Sequence, residues 1–108
     1  MSDELQALAH RLEAATGSDR DLDGDLARML GGAAPGTVPA DYTSSVDRCV
    51  ELVRATAPGW AWHVGWDASG LLPYATLRQG EHRIEAAAPT VPLALLRALA
   101  RALAVPER

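Results

Sequence analysis

Apolar positions in this chain recur at two periods, and the switch between them separates helical from extended parts. Leu5, Leu8, Ala9, Leu12 and Ala15 stand three or four apart and predict a helix from Asp3 to Ala15. Ser2 is placed to cap it, Asp3 and Glu4 suit its positive end, and Gly17 suits a left-handed stop. Leu22, Leu26, Met29 and Leu30 predict a second helix, with Ser18 as N-cap and Asp21 as its capping-box partner. Gly31-Gly32 ends that helix, and a Gly, Ala and Pro-rich loop runs on to Asp41. Thr43 or Ser44 caps a third helix with Val46, Cys49, Val50 and Val53 on its apolar face, closed by Pro58-Gly59. A last helix, capped by Thr90 with Pro92 in its first turn, carries Leu96, Leu99 and Leu103 as a spine. Arg97 and Arg101, four apart, share a different face of it, and Pro106 marks the end of order.

Between the third and last helices the period falls to two. Trp60, Trp62, Val64 and Trp66 alternate with Ala61, His63 and Gly65. Turn residues Asp67-Ala68-Ser69-Gly70 and Gln79-Gly80-Glu81 divide the stretch into three strands. The prediction is an α+β fold in which a three-stranded antiparallel meander lies between helical layers, in the order α-α-α-β-β-β-α. The tryptophan face of the first strand is expected to carry most of the buried area, since indoles are the largest apolar groups available. Pro73 cannot donate to a ladder, which places the second strand at an edge or bends it there.

Size and composition narrow the class. With 108 residues, about half of them apolar, the chain reads as one domain, residues 1–108. A single cysteine, Cys49, excludes an internal disulfide and suits a reduced interior. The sequence shows no signal pattern and no membrane-length apolar run, so the expectation is a soluble, cytoplasmic protein with no membrane partner. Every basic residue is arginine, and the formal net charge of −4 disfavours wrapping duplex nucleic acid. The third helix, three strands and last helix follow the order of a double-stranded RNA-binding domain. The entry to the last helix, Thr90-Val91-Pro92-Leu93, lacks the basic residues that grip phosphates.

Candidate chemistry is sparse. Asp19-x-Asp21-x-Asp23-Gly24 matches the opening of a calcium loop, but its twelfth position is Leu30 and the segment is patterned as a helix. Acidic residues at a helix start account for it better. The three histidines have no zinc spacing. Cys49 lies among valines, where a thiolate is disfavoured, so a pair with His63 is not expected. No nucleophile elbow or phosphate loop is present, so the chain is expected not to be an enzyme and to need no cofactor. What remains is aromatic and basic. Trp62, Trp66 and Tyr74 on adjacent strands, with Arg78 and Arg83 flanking the second turn, are the candidate ligand-binding residues. Rings stack on bases and guanidinium forks hold phosphates.

Four segments carry a resemblance. Ala14-Ala15-Thr16-Gly17-Ser18-Asp19-Arg20-Asp21-Leu22-Asp23, Tyr42-Thr43-Ser44-Ser45-Val46-Asp47, Pro73-Tyr74-Ala75 and Ala88-Pro89-Thr90 resemble, in order, the phage ABA sandwich domain family of small phage and prophage proteins. Ser18 stands where the family pattern has Pro, and Asp21 where it has Glu. The resemblance implies a sheet between helical layers and a phage-infected or prophage-carrying bacterial host. It implies no activity and no site residues. Small phage proteins without catalytic groups include anti-defence factors, so the leading expectation is a sponge that sequesters a small phosphorylated nucleotide. A homodimer is expected through the apolar last helix. The alternative is a protein-interaction module: a host-factor inhibitor or virion accessory protein.

Overall fold

In the computed structural model, which describes residues 3–34 and 36–105, the elements follow the expected order. They are α1 (Asp3–Ala14), α2 (Arg20–Met29), a single 3-10 turn η1 (Tyr42–Ser44), α3 (Val46–Thr56), β1 (Ala61–Trp66), β2 (Pro73–Gln79), β3 (His82–Ala87) and α4 (Val91–Leu103). The fold is α+β, with the three strands forming one antiparallel meander in the order β1-β2-β3. Ser2 and Pro106, read as a cap and a stop, lie outside the described residues.

Helix α4 organises the interior. From Leu93 to Ala102 every residue except Arg97 and Arg101 is buried. A helix apolar on nearly all sides must sit inside the protein, and α4 does so, between β2 and β3 on one side and α1, η1 and α3 on the other. Its burial removes the expected route to a homodimer, because no apolar stripe of α4 is left facing solvent. Leucines 8 and 12 of α1, Leu22 and Leu26 of α2 and Cys49, Leu52 and Val53 of α3 complete one continuous core.

Three helix ends differ from the sequence reading. The N-cap of α2 is Asp19, whose carboxylate accepts from Leu22 N at 3.1 Å, not Ser18. Ser45 caps α3, accepting from Arg48 N at 3.3 Å; Thr43 and Ser44 are taken up by η1. Gly17 is not among the left-handed glycines, which are Gly32, Gly36, Gly70 and Gly80. The carboxyl end of α1 is closed by a side chain from far along the sequence. Arg97 Nε donates to Leu12 O at 2.8 Å, and Nη2 donates to Glu13 O at 2.8 Å and Ala15 O at 3.0 Å. Helices leave their last carbonyls without intrahelical partners, and a guanidinium fork satisfies several at once. The cap of α4 is as read, Thr90 accepting from Leu93 N.

The acidic run at 19–23 is structural. Asp23 is fully buried, and its Oδ1 accepts from Thr43 N at 2.8 Å and Thr43 Oγ1 at 2.9 Å. Its Oδ2 takes Arg20 Nη1 at 2.9 Å. The carboxylate thus clasps α2 to η1, and among the described residues no group of His, Cys, Asp and Glu is arranged to hold a metal ion.

In the sheet, Trp62 pairs with Leu77, Val64 with Ala75 and Trp66 with Pro73; Leu77 in turn pairs with Ile84 and Ala75 with Ala86. Directly paired residues share a face, so these residues form the face that meets α4. The alternate residues, His63, Gly65, Tyr74, Thr76, Arg78, Arg83 and Glu85, form the opposite face. Pro73 is the first residue of β2, where a missing donor is tolerated, and β2 is central rather than an edge.

Candidate functional site

The five residues expected to form one ligand site are divided by the sheet. Tyr74 and Arg78 lie on the face away from α4, with Arg78 directly opposite Arg83. Trp62 and Trp66 lie on the α4 face. The division follows from the period of two: even-numbered β1 residues pair with odd-numbered β2 residues, so even positions in the two strands point opposite ways. The indoles and the guanidiniums of this set cannot therefore close on one nucleotide from the same side; of the rings only Tyr74 shares the arginines' face.

The face away from α4 is open. Tyr74 leans over Gly65, whose missing Cβ would come within 3.2 Å of the phenol oxygen, and its hydroxyl meets His63 Nε2 at 3.2 Å. Arg83 is paired with Glu85 at 3.0 Å. The Arg78 guanidinium makes no ion pair or hydrogen bond among the described residues.

The tryptophans do not carry the buried area expected of them. Helix α4 lies over β2 and β3 and meets β1 only marginally, so Trp62 is 38 % and Trp66 56 % exposed. Beyond Trp66 the hairpin loop adds Leu71, 83 % exposed, and Leu72. That loop is held by Asp67, whose Oδ1 accepts from Ser69 Oγ and from the backbone N–H groups of Leu71 and Leu72. These bonds hold the Asp67 carboxyl below its ordinary range, the serine hydroxyl most of all.

The two free edges of the sheet are treated differently. The β1–β2 hairpin carries Asp67 N to Leu72 O at 3.0 Å, and Ala88 N reaches Pro73 O at 3.2 Å. Backbone groups alternate along an antiparallel strand between the partner and the free side. The outward groups of β3 are then those of Arg83, Glu85 and Ala87, and those of β1 are Trp62, Val64 and Trp66. On β3 two of the three outward carbonyls are occupied: Arg101 Nη1 donates to Glu85 O at 2.8 Å and Arg97 Nη1 to Ala87 O at 2.9 Å. Arg101 also pairs with Glu13. Sealing an edge with charged side chains prevents strand addition there. No side chain of the described residues hydrogen-bonds to Trp62, Val64 or Trp66 of β1. Spacing alone marks Arg97 and Arg101 only as two arginines on one helix face, since nothing local shows which strand they reach.

A cleft of about 760 Å³ opens where α3 and α4 end beside the second turn, lined by Trp60, Gln79, Glu81 and His82 among others. The Trp60 and His82 rings meet at 6.2 Å between centroids. Among the described residues no arginine lines it. Two helix carboxyl ends and Glu81 bias it against anions, and none of the five candidate residues reaches it. Cys49, the one thiol, is buried with Sγ donating to Tyr42 O at 3.0 Å. Burial pushes its pKa up to about 12, so it stands as a structural thiol and not as a nucleophile beside the exposed His63.

Fold and surface together define an α+β domain with one sealed and one open sheet edge, the open one bearing two exposed indoles. No protein-family model, curated protein or solved structure matches the chain. No helix among the described residues is long and apolar enough to cross a membrane.

Proposed function

We propose that this protein is a non-catalytic interaction module that takes up a protein partner by strand addition at β1, with Trp62 and Trp66 as anchors. The observation that carries this reading is the asymmetry of the edges. Arg97 and Arg101 occupy two of the three outward carbonyls of β3, those of Ala87 and Glu85, whereas β1 presents its outward groups beside two exposed indoles. Strand addition draws affinity from backbone hydrogen bonds and specificity from side chains on alternate positions. Tryptophan is the residue most enriched where binding energy concentrates. The segments that resemble the phage family support placing such a module among phage accessory or host-directed proteins.

The test is affinity capture with the tagged chain, comparing wild type with Trp62→Ala/Trp66→Ala and with Val64→Pro. Val64 N–H points outward, so proline there removes a donor from the free edge and none from the β1–β2 ladder. A stoichiometric partner kept by wild type and lost by both variants is expected; a partner kept by both overturns the reading.

Sequestration of a phosphorylated nucleotide is the second reading, supported by Tyr74, Arg78 and Arg83 sharing the open face and by an Arg78 guanidinium without a partner among the described residues. It predicts release of a nucleotide on heating the purified protein, and a thermal shift with cyclic dinucleotides that Arg78→Ala abolishes. No release and no shift count against it.

A further inference from the structure

We infer that the occupant of the β1 edge is a second copy of this chain, joined antiparallel about a two-fold axis through Val64. The inference rests on the reading of β1 as the working edge and names its partner. In an antiparallel pair, paired residue numbers have a constant sum, and two conditions limit that sum here. Outward-directed backbone groups must meet outward-directed groups, which confines contacts to Trp62, Val64 and Trp66. The two α4 faces must also lie on the same side, so that indoles meet indoles. Centring on Val64 satisfies both: Val64 meets the second copy's Val64, and Trp62 meets the second copy's Trp66.

Three features favour a copy of the same strand. β1 reads Ala-Trp-His-Val-Gly-Trp, with no Asp, Glu or Arg, and its one ionisable side chain, His63, falls opposite the second copy's Gly65 in this register, so self-pairing sets no like charges directly opposite one another, although each chain is net negative. Cross-strand aromatic pairs are among the favourable contacts on a sheet face. The pairing also closes, because the outer edges of the joined six-stranded sheet are both β3, each sealed by Arg97 and Arg101. A two-fold contact of this kind yields a dimer and not a fibre. The indoles then floor a groove between the two α4 helices, which is the part of the sheet α4 leaves uncovered. The exposed fractions of the two indoles amount to roughly 200 Å² per copy. Over both copies the indoles supply about 400 Å², below the roughly 1,200 Å² at which stable interfaces begin, so the association should be weak and concentration-dependent.

Sedimentation velocity over a dilution series tests it, alongside cysteine cross-linking. Wild type should show twice the monomer mass when concentrated and fall to monomer on dilution, and Val64→Pro should stay monomeric with unchanged far-UV circular dichroism. Val64→Cys should oxidise to a disulfide dimer, since residues in a hydrogen-bonded pair lie about 5.5 Å apart at Cα, within disulfide span. Trp62→Cys and Trp66→Cys should cross-link only when mixed. If Val64→Pro does not fold, the cross-linking decides alone. A monomer at every concentration overturns the inference while leaving an edge-dependent foreign partner intact. A dimer indifferent to Val64→Pro, or Trp62→Cys pairing with itself, also overturns it, placing the contact or register elsewhere.

Discussion

Replacing Arg97 by alanine should be among the most damaging single changes in this protein. The side chain is only 12 % exposed and donates four hydrogen bonds of 2.8–3.0 Å to the carbonyls of Leu12, Glu13, Ala15 and Ala87. It therefore joins the end of α1 to the free edge of β3 through α4. A hydrogen bond involving a charged group is worth roughly 1.5–3 kcal/mol net. Four bonds from one group are not independent, and water regains some of the vacated carbonyls. A loss of about 3–5 kcal/mol is expected, a large share of the roughly 5–15 kcal/mol that holds a domain together. With an m-value near 2 kcal/mol/M, the urea midpoint should fall by about 1.5–2.5 M. Arg97→Lys should recover only part of this, because one ammonium cannot span the carbonyls of both the α1 end and β3. Urea unfolding followed by tryptophan fluorescence measures both variants. An alanine variant within about 1 kcal/mol of wild type would refute the argument that these bonds close α1.

Asp23→Ala should destabilise by about 1–3 kcal/mol, because it strands the buried N–H of Thr43 and leaves its hydroxyl only the longer bond to Asp19 O; Asp23→Asn should lose less, keeping one acceptor, and thermal unfolding of both checks the order. Cys49 should resist alkylation in the folded state at mildly alkaline pH and react only on denaturation. The sign follows from its raised pKa: the thiol's contribution is complete below the ordinary value of 9.0 and is lost as pH climbs toward about 12, so a stability profile flat across that range contradicts it. Asp25 is held low, chiefly by its hydrogen bond to Arg11 and next by Arg28. Its contribution is present above the ordinary carboxylate range and lost as pH falls through the folded value. The pair is solvent-screened, so Asp25→Asn should cost under about 1 kcal/mol at neutral pH, with the difference vanishing in acid. Gly80, at φ 59° in the β2–β3 turn, should lose about 1–2 kcal/mol on replacement by alanine and less by asparagine, measured by chemical denaturation.

Periodicity was sufficient for the kind and order of the elements, while the cap residues of α2 and α3, Asp19 and Ser45, lie one residue beyond those read from the spacing. The helices, the three strands, both turns with Gly70 and Gly80, and the Thr90 cap were all legible, because each is decided within a few residues by spacing, capping chemistry or a positive φ. The division of the candidate site was not. Alternation says that Trp62 and Trp66 share a face of β1 and that Tyr74 and Arg78 share a face of β2. Only the register, Trp62 on Leu77 and Gly65 on Tyr74, says that the two faces are opposite ones. Whether an indole is buried depends on where α4 comes to rest, and α4 settles over β2 and β3, leaving β1 uncovered. The same holds for Arg97, Arg101 and Asp23, whose partners stand far off in the chain. Local pattern encodes the shape of each element; which edge is sealed and which is open is a property of how the elements meet.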